Sequence, residues 1–82
     1  MPAEPQFFVW RTSAELAEAV VNGRQAIGLT QVELARRARV GRKFLFQLEH
    51  GKPTLRVDKV LAVLQALELV PLVLPVSVIA AM

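Results

Sequence analysis

Apolar residues recur at helical spacing in the first third of the chain. Residues 13–27 predict a first helix, because positions three and four apart form a single stripe that comprises Leu16, Ala17, Val20 and Arg24. Thr12 or Ser13 can cap the start of this helix, and Gly28 ends it. The bulky run FFVW at 7–10 precedes the helix and predicts a brief strand or an extended arm.

The stretch 29–52, LTQVELARRARVGRKFLFQLEHGK, predicts two short helices joined by a tight turn at 39–41. A capping box opens the second helix, with Thr30 as the cap and Glu33 three residues later. The third helix covers about 42–49, and His50 and Gly51 close it, the glycine in a left-handed conformation. The inward-facing residues of the two helices are Leu34, Ala35, Ala38, Leu45 and Leu48.

A fourth helix is predicted after Pro53, because proline prevents the third helix from continuing. Thr54 is the expected cap of this helix. Its wide apolar face comprises Leu55, Val57, Val60, Leu61, Leu64 and Leu67. The helical part of the chain therefore covers about 13–67.

After residue 68 the helical spacing gives way to alternation. Val70, Leu72 and Leu74 fall on one face, while Pro71 and Pro75 argue against helix, so 69–74 predicts a short edge strand. A lone strand leaves backbone groups unpaired, and pairing with its copy in a second chain, together with the arm at 7–10, would satisfy them. The expected dimerisation residues are Val70, Leu72, Val73 and Leu74. An unstructured hydrophobic tail is the alternative.

These elements predict one all-α domain over 1–82, with four or more helices, a C-terminal dimerisation strand and a tail at 69–82. The chain has 82 residues, of which 54% are hydrophobic. A domain this small has a marginal core, so further burial by self-association is expected.

The basic residues are concentrated in one part of the chain. Residues 36–59 hold eight lysines and arginines against two acids, a balance of +6, and the remainder sums to −3, which gives the net charge of +3. A concentrated patch attracts a polyanion better than a diffuse excess of the same size. This pattern favours nucleic acid as the partner. A membrane surface and a plain solvated face are the alternatives.

Composition argues against several classes of chemistry. The chain has no cysteine, which removes disulfides, thiolate metal sites and cysteine nucleophiles and suits a reducing cytoplasm. His50 is the only histidine and is interpreted as a helix-end cap, while Glu15, Glu18 and Glu33 fall on different helix faces. No glycine-rich phosphate loop occurs. We therefore expect neither an enzyme nor a metal or cofactor site.

The chain ends also argue against a membrane protein. The start, MPAEPQFF, lacks the basic region and long apolar run of a secretion signal. The apolar stretch 69–82 has fourteen residues and two prolines, whereas a membrane helix needs about 20 residues. A cytoplasmic protein is the expectation.

Three segments, LTQVELARRA, RKFLFQLEHGK and PTLRVDKVLAVLQAL, together resemble the Xre/Cro-like helix-turn-helix repressors. The resemblance covers about 24–67 and implies a lambda-repressor-like fold and a bacterial, nucleoid-associated protein. Within that family, the PTLRVDKVLAVLQALEL segment and the short C-terminal strand resemble HipB-type antitoxins. Those proteins repress their own operon as dimers and bind a HipA-like kinase toxin.

The resemblance implies that the third helix enters the major groove. Arg42 is expected to read guanine, because a guanidinium can donate twice to O6 and N7, and Gln47 can pair with adenine. Lys43 can read a guanine or hold a phosphate. Phe46 is unusual for the family on this exposed face, and it can pack on a thymine methyl, touch a protein partner or be a stray surface aromatic. The expected base contacts are Arg42, Lys43, Phe46 and Gln47.

Other residues are expected to hold the phosphate backbone or the fold. Gln31 lies in the first turn of the second helix, where its amide and free backbone N–H groups can hold a phosphate oxygen. The expected phosphate contacts are Thr30, Gln31, Arg39, Lys52 and Arg56. Arg24 and Glu49 resemble the family's buried ion pair between the first and third helices, so both are expected to be structural. Arg39 stands where the family usually has glycine, and it must tolerate a turn geometry that glycine adopts more easily.

The expected function is a sequence-specific repressor that binds an inverted-repeat operator as a dimer, with the two copies of the third helix about 34 Å apart. The resemblance adds the role of an autoregulating antitoxin that also binds a kinase toxin. One alternative is a stand-alone phage-like repressor without a kinase partner. Another is a protein-interaction module that uses the third helix without binding DNA.

Overall fold

A computed structural model of the chain describes residues 7–81. Five helices lie among them: α1 (Ser13–Ala26), α2 (Gln31–Ala38), α3 (Arg42–Glu49), α4 (Val57–Ala66) and α5 (Val76–Ala80). The predicted domain 1–82 also includes residues 1–6 and 82, which lie outside the described residues. The predicted bounds of the first three helices agree with the structure to within one residue.

Helix α1 is fixed at both ends by local hydrogen bonds. The Thr12 hydroxyl oxygen accepts a hydrogen bond from the Glu15 backbone N–H at 3.1 Å, so Thr12 is the cap. Gly28 has a φ of 72°, and its N–H donates to the Gln25 carbonyl oxygen at 3.1 Å. The predicted start and end of this helix are therefore confirmed.

The α2–α3 unit has the geometry that its sequence predicts. Thr30 and Glu33 form both hydrogen bonds of the capping box. Arg39 closes α2 in the left-handed conformation, with a φ of 57° and a ψ of 43°. Gly51 follows α3 with a φ of 78°, and its N–H donates to the Leu48 carbonyl oxygen. A side chain at Arg39 thus occupies a backbone conformation that usually selects glycine.

Helix α4 differs from the prediction at its start and on its apolar face. It begins after Arg56 without a side-chain cap, so Thr54 is not its cap. Leu55 instead packs against the core as a partly buried residue, and the helix begins only beyond it. Val57 is 69% exposed although it was expected to be inward, whereas Val63 is fully buried. The position of α2 selects which stripe of α4 is covered, because α4 is apolar on more than one side.

The core lies between the first four helices. Helix α2 packs against α3 and α4, and α1 packs against α3. The buried cluster comprises Leu16, Val20, Leu29, Leu34, Ala35, Ala38, Leu45, Leu48, Val63, Leu64 and Leu67. Burial of these side chains is the main stabilising contribution that the fold offers, and it holds α3 with one face outward.

The predicted C-terminal strand is wrong for this chain. No strand occurs among residues 7–81, and 69–75 has no regular secondary structure. A strand requires ladder hydrogen bonds along a neighbouring strand, and two prolines remove donors from this segment. The short helix α5 follows instead, with Pro75 at its cap position. The expected dimerisation residues Val70, Leu72, Val73 and Leu74 are all exposed, Val73 completely.

Candidate nucleic-acid interface

Helix α3 presents a row of side chains to solvent. Arg42, Lys43 and Phe46 are exposed and Gln47 is half-buried, while Leu45 and Leu48 are in the core. Residues three and four apart lie on one helix face, so these four form one continuous surface. We call Arg42, Lys43, Phe46 and Gln47 the reading row. It combines two cations, one amide and one aromatic ring.

The reading row begins at an open helix end. Gly41 occupies the cap position of α3 and makes no side-chain cap hydrogen bond. The first backbone N–H groups of a helix have no intrahelical acceptor and carry partial positive charge. Together with Arg42 and Lys43, they make this end of α3 suitable for anions.

An aromatic pair lies at the other end of the row. The rings of Phe46 and His50 are stacked, with centroids 3.8 Å apart and an interplanar angle of 24°. His50 Nδ1 lies 2.7 Å from the Phe46 carbonyl oxygen. In the tautomer with a proton on Nδ1, this nitrogen donates to that carbonyl. Sequence reasoning interpreted His50 only as a helix cap, although its spacing of four from Phe46 was the available signal for contact.

Glu49 joins three helices behind the row. Its carboxylate accepts hydrogen bonds from Arg24 Nε at 2.8 Å and from Arg24 Nη2 at 3.1 Å. The Gln31 amide nitrogen donates to the same carboxylate at 2.8 Å. The Glu49 side chain is 3% exposed and that of Arg24 is 15% exposed. Arg24 Nη1 also donates to the Leu29 carbonyl oxygen at 2.9 Å, so the pair has additional hydrogen bonds that offset its desolvation.

Gln31 therefore lies between the fold and the surface. One of its two amide hydrogens is used on Glu49, which leaves the second hydrogen and the amide oxygen. The contact fixes the direction of the side chain at the start of α2. A phosphate held there would meet an oriented donor.

Thr30 and Glu33 form the other side of this helix start. Thr30 N–H donates to Glu33 Oε1 at 2.9 Å, and Glu33 N–H donates to Thr30 Oγ1 at 3.1 Å. The backbone hydrogen bond from Thr30, followed by that of its side chain, lowers the pKa of the Glu33 carboxyl group. The same side-chain hydrogen bond uses the Thr30 hydroxyl proton, so a phosphate at this position would compete with the Glu33 carboxylate for it.

The remaining expected phosphate contacts are exposed but differ in their partners. Arg39 and Lys52 are exposed at the ends of α2 and α3. Arg56 donates to Asp58 through Nη2 at 2.6 Å and through Nε at 3.1 Å. Hydrogen bonding from Arg56 lowers the pKa of Asp58. Asp58 would compete with a phosphate for Arg56, which is a restraint that the sequence reasoning missed.

Lys59 makes a further contact between α4 and α3. Its Nζ lies 5.7 Å from the centroid of the Phe44 ring, within the range of a cation–π interaction. Lys59 is half-buried, so it contributes less to the exposed basic surface than its neighbours do.

Within residues 7–81, no helix is both long enough and apolar enough to cross a membrane.

A family model for helix-turn-helix proteins matches residues 20–74, which is most of the chain. An HTH-type transcriptional regulator, y4mF of Sinorhizobium fredii, is 46% identical over 57 residues, covering 70% of this chain and 75% of the relative. The chain belongs to the Xre-like helix-turn-helix family of transcriptional regulators. The resemblance to this family is thereby confirmed, and the match extends beyond the 24–67 expected from motifs.

Solved structures of HipB are similar to this helix-turn-helix chain. HipB in a complex with an O4 20mer aligns with a TM-score of 0.77 and 26% identity, over 84% of this chain and 97% of that chain. HipB in a HipA–HipB–O2–O3 complex aligns with the same TM-score and identity. The likeness to HipB expected from the fourth-helix segment is confirmed, although the strand expected with it is not formed here.

Proposed function

We propose that this chain is a sequence-specific transcriptional repressor that binds an inverted-repeat operator as a homodimer, with α3 in the major groove. The observation that carries the proposal is the reading row, a set of donors and one aromatic ring on the outer face of a helix that Glu49 joins to α1 and α2. Major-groove recognition needs side chains of this kind on one face of a positioned helix.

The charge supports the same assignment. The stretch 36–59, with its charge balance of +6, contains the reading row and extends into the loop before α4. Phosphate neutralisation by such residues supplies most of the affinity for any DNA sequence, and base contacts add the selectivity. In our proposal Gln31, Arg39 and Lys52 hold phosphates. Thr30 and Arg56 also do so, but they compete with Glu33 and Asp58.

We further propose that the repressor is the antitoxin of a toxin–antitoxin pair and binds a HipA-like kinase. Similarity to HipB over 84% of the chain, in a solved complex that contains HipA, is the support. A stand-alone repressor would share the DNA-binding features and lack the kinase partner. Affinity capture with a kinase encoded beside this chain distinguishes the two.

DNA binding is tested by measuring affinity for the chain's own upstream region and for scrambled DNA across a salt series. Arg42→Ala should weaken operator binding by about 1–3 kcal/mol and reduce the preference for the operator. Arg37→Ala removes the same charge from an exposed position on α2 outside the expected contacts, so it should weaken binding to both DNAs alike. Equal affinity of the unmodified protein for the two DNAs would contradict the proposal and favour the protein-interaction module.

A further inference from the structure

Phe46 is the apolar member of an otherwise polar surface. Its side chain is 52% exposed, although Leu45 and Leu48 already fill the interior beneath α3. It lies four residues after Arg42 and three after Lys43, so it shares their face. The core does not need this ring, and an exposed phenyl group in a basic surface has no hydrogen bond to offer.

The ring of Phe46 is held in place before any partner arrives. His50 covers one of its faces, at a centroid separation of 3.8 Å. His50 is itself anchored, since Nδ1 lies 2.7 Å from the Phe46 carbonyl oxygen. A side chain fixed in this way loses little conformational entropy on binding, which increases the benefit of a small apolar contact.

Only one feature of the base edges in the major groove matches such a ring. The edges present hydrogen-bond donors and acceptors, apart from the C5-methyl group of thymine. We propose that Phe46, positioned by His50, contacts the C5-methyl group of one thymine in each operator half-site and thereby contributes to specificity. This inference rests on the proposed DNA-binding function and assigns a role to the aromatic member of the same row.

A protein partner is the competing occupant of this ring. DNA is favoured because Phe46 is flanked by Arg42 and Lys43 and lies within the stretch of +6 balance. The basic residues attract DNA, and the apolar group that the major groove then offers to Phe46 is the thymine methyl group. His50 acts as a positioning residue, since it contacts the ring and not the base.

The test removes only the methyl group. In the bound operator, each thymine of a half-site is replaced in turn by deoxyuridine, which keeps the polar base edge and the pairing. At one position the affinity should fall about four-fold per half-site, the value expected for one buried methyl-sized group. The same replacement should have no effect on the Phe46→Ala variant. Cytosine and 5-methylcytosine at that position, each opposite guanine, isolate the methyl group a second time and should differ by the same factor.

Two further variants separate contact from folding. Phe46→Leu keeps an apolar group. This variant should therefore retain part of the ratio between the affinity for the thymine operator and the affinity for the deoxyuridine operator, here called the thymine-to-uracil ratio. His50→Asn removes the stack and should lower this ratio while the preference for operator over scrambled DNA persists. A purely structural role for either residue would change thermal stability and overall affinity without changing the ratio.

These measurements distinguish failure of the methyl contact from failure of the proposed DNA-binding function. If the protein selects its operator and no thymine-to-uracil replacement matters, the methyl contact is overturned while the repressor stands. A gain confined to 5-methylcytosine at native cytosine positions would also overturn the thymine assignment. If Phe46→Ala leaves DNA binding unchanged and abolishes binding to a HipA-like kinase, the ring belongs to a protein interface. Absence of operator selectivity removes the proposed function itself.

Discussion

Glu49 connects the fold to the reading row at the scale of single residues. It lies on α3, accepts two hydrogen bonds from Arg24 of α1, and accepts one from Gln31 of α2. With 3% of its side chain exposed, water cannot replace these partners without a large rearrangement. The orientation of α3 relative to the start of α2 therefore depends on one carboxylate.

Glu49→Gln should destabilise the protein by about 2–3 kcal/mol, because the neutral amide leaves the largely buried Arg24 guanidinium without a counter-charge. The partial exposure of Arg24 keeps the loss below the range of a fully buried pair. Urea denaturation at fixed protein concentration measures it. Glu18→Gln, an exposed change of the same kind on α1, should have little effect, and equal losses in the two variants would count against this role of Glu49.

Two residues other than glycine occupy left-handed backbone conformations, among those described. Arg39 has a φ of 57° and Glu68 a φ of 60°. Glu68→Gly should raise the free energy of unfolding by about 0.5–1 kcal/mol, since relief of the left-handed strain exceeds the added chain entropy of glycine. Thermal or urea unfolding checks this value.

Gly51→Ala is a control for which the opposite change in stability is expected. Gly51 has a φ of 78°, and an added Cβ would lie 3.5 Å from the Ala14 Cα atom. This variant should be less stable than the unmodified protein. A stabilising Gly51→Ala together with a destabilising Glu68→Gly would show that the left-handed conformations are not retained in solution.

At the scale of elements, the capping box makes the stability of α2 depend on pH. Hydrogen bonds from Thr30 lower the pKa of Glu33 in the folded chain. Because the Glu33 pKa is lower in the folded chain than in the unfolded chain, ionised Glu33 stabilises the fold. This contribution is complete above the pKa of glutamate in the unfolded chain, about 4.3. The contribution is lost as pH falls through the lower, folded pKa.

Glu33→Gln should therefore reduce the pH dependence of stability. The difference in melting temperature between this variant and the unmodified protein should be larger at pH 7 than at pH 3, because protonated Glu33 and glutamine are both neutral. Glu18→Gln provides the control for the change in net charge. A difference that stays constant between the two pH values would contradict the coupling.

The elements that the sequence predicted well are those whose ends are made by neighbouring residues. The capping box at Thr30 and Glu33 and the left-handed Gly51 involve groups within a few positions of each other. Helix α4 lacks such a cap, so its start depends on how Leu55 packs into the core. The exposed Val57 and the buried Val63 could not be assigned from an apolar pattern that allows several faces.

At the scale of the whole molecule, the N-terminal arm and the C-terminal segment form an apolar surface. Residues 7–10 and 69–74 line one cleft of about 510 Å³, together with Ala19 and Leu64 from α1 and α4. Val70, Leu72 and Val73 are each more than 70% exposed. Exposed apolar surface of this extent is typical of a contact site, and a second copy of the chain suits an inverted-repeat operator.

Leu72→Asp should weaken dimerisation at least ten-fold, since one buried leucine contributes about 1.5–3 kcal/mol. Sedimentation velocity across a concentration series measures it, and circular dichroism should show unchanged helicity because Leu72 is 72% exposed. Val57→Asp, which changes a 69% exposed valine on α4 away from the cleft, should leave self-association unaltered. If both variants self-associate as the unmodified protein does, the cleft is not the dimer interface.

The sequence by itself determined the first three helices, the capping box of α2, the turn that follows it, and which residues of α3 share the outward face. These features depend on contacts between near neighbours and on helical period. Tertiary structure decided which stripe of α4 is buried, how Gln31 is engaged by Glu49, and that 69–75 forms no strand. Those outcomes depend on surfaces that come from distant parts of the chain. Alternation at 69–74 describes a segment that can pair, whereas pairing itself requires a neighbouring strand in space.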